Sequence, residues 1–339
     1  MTTDLIVADI GGTNTRIARA RHATGQWSLH DTGVYPSREH PDLSGILQQW
    51  RRDRVPAGVE FRAAGLAVAG PVTPDHGDTE ARVTNLQHWP TLRAAALGDT
   101  LGLPVALLND FAAIGASLDA LDANQDLLPL QTGTPDPEGL RLVAGAGTGL
   151  GTCLVGPARA PVIHAGEGGH ARFSPADVDE TALAGFVTQQ EGHCTREHLL
   201  SGAGIARIAA FEQTRRPDAG LDGALRTDDP AVAIHELAEQ GHPAALGVIE
   251  RFVRLYGGQL ADMALTALPY GGVYLAGGIA PRWSRYLQGP AFRAAFTNRP
   301  PMAHLLEGLP VALIMHPQPG LLGAAVSALR LTQEPHGAS

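Results

Sequence analysis

Hydrophobic and polar positions along the first third of the chain trade places with two different periods. Residues 4 to 35 read as three short strands, LIVADI, TRIARA and WSLHDTGV, set apart by GGTN and RHATGQ. The pattern then predicts a helix over residues 42–52, a buried strand at AAGLAVAG, a helix near 90–100, the strand VALLN, and a helix over 111–121. Helical spacing dominates from about 177 to 267, including a long apolar-periodic segment from Pro243 to Leu268. Late in the chain GGVYLAGGI reads as strand plus turn, and GLLGAAVSALR as a closing helix. Hairpins mixed with alternating strand and helix predict an α/β protein with mixed sheets.

An internal echo adds to this. DIGGTNTRIARA from Asp9 and AGAGTGLGTCLV from Ala144 both place a Gly-Thr pair in a tight turn and then enter an alternating strand, with Thr13 and Thr148 as counterparts. Two copies of one hairpin unit predict two lobes facing a cleft.

Composition narrows the class of function. The length of 339 residues suits about two domains, and 44% hydrophobic against 17% charged residues is globular rather than disordered. A net charge of −9, with no run of arginine longer than two, argues against a nucleic-acid or anionic-membrane surface. The N-terminal segment lacks a basic n-region and no apolar run reaches the ~18 residues of a membrane span, so the expectation is a cytoplasmic protein. Cys153 and Cys194 form no Cys-x-x-Cys pair, so neither a disulfide framework nor a thiolate zinc site is expected, and Cys153 should lie inside a strand. All 25 basic residues other than histidine are arginine. The absence of lysine excludes a Walker lysine, a protein-kinase lysine and a Schiff-base lysine together. Any nucleotide phosphates must then be held by backbone amides, hydroxyls and a metal.

Four segments carry candidate chemistry. In the run Ala8-Asp9-Ile10-Gly11-Gly12-Thr13-Asn14, adjacent glycines permit positive φ and let backbone N–H groups approach a phosphate, while Thr13 and Asn14 add side-chain donors. An acid beside a phosphate repels it unless a cation intervenes, so Asp9 fits a magnesium ion approached through water. The same glycines would also serve a plain hairpin turn. GAGTGLG, from Gly145 to Gly151, is glycine-dense and is followed by strand rather than helix pattern, which excludes a Rossmann fingerprint and fits a second phosphate cradle around Gly147, Thr148 and Gly149. In HAGEGGHARF a slender Gly-Gly loop carries Glu167 and His170, suited to hydrogen-bonding hydroxyls; one Glu and one His are too few for a protein metal site. Finally, LLNDFAAIGASL sets Asn109 and Asp110 at a strand-to-helix junction, where helix capping is the ordinary use of such residues. Read alone, Gly277-Gly278 is a strand-to-helix turn and Glu197 a solvated helical acid.

Taken together and in this order, these motifs resemble the bacterial glucokinases of the hexokinase type, within the superfamily of actin-like ATPases, from Asp9 to the PGLLGA that begins at Pro319. The resemblance implies a two-lobed actin-like (ribonuclease H-like) fold, with mixed sheets flanked by helices around a central cleft. We expect a small α/β domain from residues 1–109 plus 319–333 and a large one from 110–318. It further implies that Asp110 is the catalytic base, that Asn109, Glu167, His170 and Glu197 bind the sugar, with Asn85 on a sugar-side loop, and that Gly277 and Gly278 belong to the adenosine motif. Nothing resembles the cysteine-rich zinc motif of the related repressor/kinase group, which favours the non-zinc branch. DHGDTEARVTNLQHW is longer than the family's usual segment before its Thr-Asn, here Thr84-Asn85. The implied activity is transfer of the γ-phosphoryl of ATP to the 6-hydroxyl of glucose, feeding glycolysis, with ATP and Mg²⁺ and as a homodimer. Alternatives on the same scaffold are another hexose acceptor, an ADP or polyphosphate donor, an acyl-phosphate kinase, or a sugar-responsive regulator without catalysis.

Overall fold

The computed structural model describes residues 2–157 and 161–333. It divides into two compact units, one built from the chain up to Ala123 and from His316 onward, the other from Asn124–Met315.

The first unit begins with β1 (Thr3–Ile10), β2 (Asn14–Ala23) and β3 (Gln26–Pro36), an antiparallel meander. Helix α1 (Leu43–Arg54) follows, capped by Asp42, whose carboxylate accepts from Gly45 N. Next come β4 (Phe61–Val68), the short strands β5 (Val72–Asp75), β6 (Asp78–Ala81) and β7 (Leu92–Arg93), then α2 (Ala94–Leu101), β8 (Val105–Asn109) and α3 (Asp110–Ser117). The main sheet runs β3-β2-β1-β4-β8, with β4 parallel to both β1 and β8. Because side chains alternate across a strand, β1 feeds two cores. Ile6, Ala8 and Ile10 pack with Ile46, Leu47 and Trp50 of α1 and Leu97 of α2.

The second unit contains β9 (Leu127–Gln131), β10 (Arg141–Ala146), β11 (Leu150–Val155) and β12 (Ile163–Gly166). Helices α4 (Val178–Glu191), α5 (Arg196–Leu199), α6 (Gly202–Arg215), α7 (Ala219–Leu225), α8 (Pro230–Glu239) and α9 (Pro243–Ala267) come next. Strand β13 (Gly272–Ala276), the short helices α10 (Ile279–Arg282), α11 (Ser284–Leu287), α12 (Pro290–Thr297) and α13 (Ala303–Gly308), and β14 (Val311–Ile314) complete it. Its sheet runs β12-β11-β10-β13-β14-β9, again an antiparallel meander joined to a parallel pair. One large core gathers Phe252, Val253, Tyr256 and Leu260 of α9 with Leu142, Ala144, Val273 and Leu275 of the sheet. The internal echo is therefore a repeat of topology. The first hairpin is one residue longer, with four residues between the closing pair Ile10–Thr15 and three between Ala146 and Leu150.

Helix α14 (Pro319–Leu331) returns to the first unit, where Leu321, Ala324, Ala325 and Ala328 meet Leu5 and Val7 on the other face of β1. Helix α3 packs against α14, so the first unit extends to Ala123 and includes Asp110, instead of ending at 109; at the other end it resumes at His316 rather than 319. The extra length before Thr84-Asn85 is a polar hairpin: β5 and β6 pair Asp75 with Asp78 across His76-Gly77, both with positive φ. The expected helix near 90–100 starts later, at Ala94, because Leu92–Arg93 pairs with β6, and α3 stops at Ser117 rather than 121. No described helix is long and apolar enough to cross a membrane.

Candidate active site

In the first unit, parallel register aligns Ile10 with Val68 and Val68 with Asn109, so the β1–β2 turn and Asp110 leave the same edge of the sheet, at the carboxyl ends of its parallel strands. That edge is where open α/β sheets place ligands. The turn closes through Gly11 N donating to Asn14 O at 3.0 Å. Ser37 clamps it from beside β3: its N–H donates to Thr13 O at 2.9 Å and its hydroxyl to Gly11 O at 2.8 Å, while Thr15 Oγ1 lies 2.9 Å from Ser37 Oγ. Thr13 and Asn14 are exposed.

Asn109 caps α3, its Oδ1 accepting from Phe111 N and Ala112 N at 2.9 and 3.1 Å, and its Nδ2 donates to Gly70 O at 3.1 Å. The capping duty thus falls on Asn109. Asp110 is the first helical residue, half-buried, with Oδ1 2.9 Å from Phe111 N. Gly70 follows Ala69, which donates to Ile10 O and accepts from Thr84 N. A side chain at Gly12 would collide with Asn85, so the Thr84-Asn85 loop borders the turn.

Asp9 is the penultimate residue of β1, with its side chain 35% exposed and 3.8 Å from Arg16 Nη1. Desolvation raises its pKa above the ordinary carboxylate value, and the Arg16 charge offsets this only in part. A carboxyl raised on folding contributes stability below its unfolded value of about 3.9 that is lost as pH climbs through the folded value. Asp9→Asn is therefore expected to stabilise the protein against urea at pH 7–8, the gain vanishing below pH ~4; a gain that persists there contradicts this origin.

In the second unit, the turn between β10 and β11 closes in the same way, Gly147 N donating to Gly149 O at 2.8 Å, and Gly147 O accepts from Gly202 N at the start of α6. Leu150, directly after it, donates to Glu197 Oε2 at 2.8 Å. A Cβ at Gly149 would meet that carboxylate. Gly277, with φ +85°, lies against Ala146 on the neighbouring strand end. Of the glycines in these three motifs only Gly277 has positive φ; Gly12 and Gly149 supply room for Asn85 and Glu197, not an unusual backbone. On the other side, Thr152 Oγ1 donates to Gly166 O and accepts from Gly168 N, fixing the loop that carries Glu167 and His170, both well exposed and 3.8 Å apart. The structure thus gathers the second turn, Gly277-Gly278, Glu197, Glu167 and His170 in one unit, and Asp9, the first turn, Asn85, Asn109 and Asp110 in the other.

A family model described as Glucokinase matches residues 6–331. A glucokinase from Nostoc punctiforme is 35% identical over 96% of this chain and 99% of its own length, and one from Yersinia pestis is 35% identical over 96% of both. The crystal structure of a glucokinase from an Antarctic psychrotroph superposes with a TM-score of 0.78 at 25% identity, covering 96% of this chain and 99% of that one. The chain belongs to the glucokinase family. Its fold is that of the actin-like ATPases, and it is an ATP-dependent hexose kinase that phosphorylates glucose.

Several supports of this site carry no motif. Ser37 is an isolated serine after a strand, and Thr152 is one β-branched residue among others in β11. Gln259 did have a signal, a lone amide in the apolar stripe of α9, fully buried. Neither cysteine is poised for chemistry: Cys153 is buried, and burial pushes the Cys194 thiol up to about 11.

Proposed function

We propose that Asp110 is the base that accepts the 6-hydroxyl proton of glucose as that oxygen attacks the γ-phosphate of ATP. The observation that carries this reading is the strand register, which sets Asp110 and the Gly11–Asn14 turn at one edge of one sheet. Glu167, His170 and Glu197 hold the remaining hydroxyls, with Asn85 and the free N–H of the Asn109 amide as further donors. The backbone of 11–14 and 147–149 holds phosphates, and Gly277-Gly278 lies along the adenosine. Phosphoryl transfer passes through a loose transition state, so an ordinary carboxylate suffices when the proton leaves late, and positioning supplies most of the rate. Closely fitted acceptors also reject sugars that leave a buried partner unpaired.

Among the described residues no three His, Cys, Asp or Glu side chains gather into a metal-binding group. Asp9 instead offers one poorly solvated carboxylate whose nearest cation is beyond hydrogen-bond distance, which suits a Mg²⁺ held through water, with phosphate oxygens and water as its other ligands. When bound, that ion neutralises charge on the phosphates. The family resemblance further supports a cytoplasmic homodimer.

A coupled ADP-release assay over glucose, mannose, fructose and N-acetylglucosamine, repeated with EDTA and with polyphosphate as donor, tests the reading. Glucose with ATP and Mg²⁺ should give the highest kcat/KM, and EDTA should abolish turnover. Turnover indifferent to EDTA, or faster with polyphosphate, overturns the assignment of Mg²⁺ or of the donor.

A further inference from the structure

Gln259 sits on α9 between Leu255, Tyr256, Leu260 and Met263, and is 2% exposed. An amide buried without partners costs roughly 1–3 kcal/mol, so its partners explain why an apolar stripe tolerates it. Its Nε2 donates to Ser174 O at 3.0 Å and its Oε1 accepts from Arg196 Nε at 3.2 Å. Arg196 in turn donates through Nη1 to Gly168 O at 3.3 Å and through its backbone N–H to Ala171 O at 3.0 Å. Three carbonyls, at residues 168, 171 and 174, are thereby gripped from one side, while Thr152 takes the Gly168 N–H from the other. His170 lies within this gripped stretch and Glu167 directly before it. Arg196 is also the residue before Glu197, whose carboxylate is fixed on Leu150 N. One buried amide therefore ties the 167–170 loop to the helix that presents Glu197.

We propose that Gln259 and Arg196 are positioning residues for glucose: Gln259 orients the Arg196 guanidinium, and Arg196 holds the Gly168 carbonyl so that Glu167, His170 and Glu197 keep a fixed spacing. This rests on those three side chains being the sugar ligands. Neither Gln259 nor Arg196 touches the sugar. Their loss loosens the acceptor loop without removing any group that meets ATP, so the effect belongs in KM for glucose.

The test uses the full chain and steady-state kinetics. Gln259→Met keeps the side-chain volume and removes both hydrogen bonds; we expect KM for glucose to rise about tenfold, as for loss of a hydrogen bond to a charged group, with KM for ATP and kcat within about twofold. Gln259→Glu keeps an acceptor for Arg196 Nε and should recover most of the glucose KM. Arg196→Met should raise KM for glucose at least as much, and adding Gln259→Met to it should cost little more, because the glutamine acts through the arginine. A purely structural role predicts instead equal effects on both substrates, additive losses and no recovery by glutamate, and any of these overturns the proposal; if Gln259→Met fails to fold, Gln259→Glu and Arg196→Met decide it. Glu167→Gln, run in parallel, separates the two levels. If it leaves KM for glucose unchanged, the sugar-ligand reading fails; if it raises KM while the relay variants do not, the relay alone fails.

Discussion

Asp110→Asn should lower kcat by about 10²- to 10⁴-fold, the usual worth of a positioned general base, while glucose still binds with near-parental affinity in a calorimetric titration. The substitution is isosteric, and the cap of α3 survives it because Asn109 makes the two capping bonds. That division of labour makes the experiment informative. Had the acid been the cap, its loss would remove about 1 kcal/mol of stability and leave turnover largely intact. With Asn109 as the cap, the start of α3 is kept and the rate should collapse. A variant that unfolds at lower temperature yet turns over normally would assign Asp110 a structural role.

The second large effect belongs to Glu197, and two substitutions separate its functions. Glu197→Gln retains an oxygen for the Leu150 N–H but loses the charge offered to a sugar hydroxyl. KM for glucose should rise about 10- to 100-fold, the range for a hydrogen bond to a charged group, with KM for ATP little changed. Glu197→Ala also strands the Leu150 amide directly after the 147–149 turn, so both Michaelis constants should rise. Parental Michaelis constants in Glu197→Gln beside raised ones in Glu197→Ala, in initial-rate measurements with each substrate varied, would show that the carboxylate serves the turn alone.

How legible this was depended on how much of each residue's purpose lies close by in sequence. Strands β1 and β4, buried within the main sheet, and β8 at its edge show as apolar runs, and α9 shows as an apolar stripe with its end near Leu268, which adopts the left-handed cap conformation. The short strands β5 to β7, β12 and β14 left no period because they are two to four residues long, too short to repeat one. Glu167 and His170 could be picked out because they flank a glycine pair, whereas Asp110 and Glu197, which read alone as a helix cap and a solvated helical acid, stood out only through the family resemblance. The glycines themselves were read for positive φ, whereas at Gly12 and Gly149 the need is space for Asn85 and Glu197, side chains distant in sequence. Ser37 and Arg196 act through contacts with residues 22 or more positions away, which no local pattern records. The boundary between units moved for the same reason, since α3 is held by a helix two hundred residues later.

Soaking crystals with glucose and a non-hydrolysable ATP analogue puts the whole mechanism in one measurement. The glucose 6-oxygen should lie within about 2.6–3.2 Å of an Asp110 carboxylate oxygen, with the analogue's terminal phosphate facing that oxygen. An Asp110 carboxylate turned away from the sugar, or a sugar bound with another hydroxyl toward the phosphate, would contradict it.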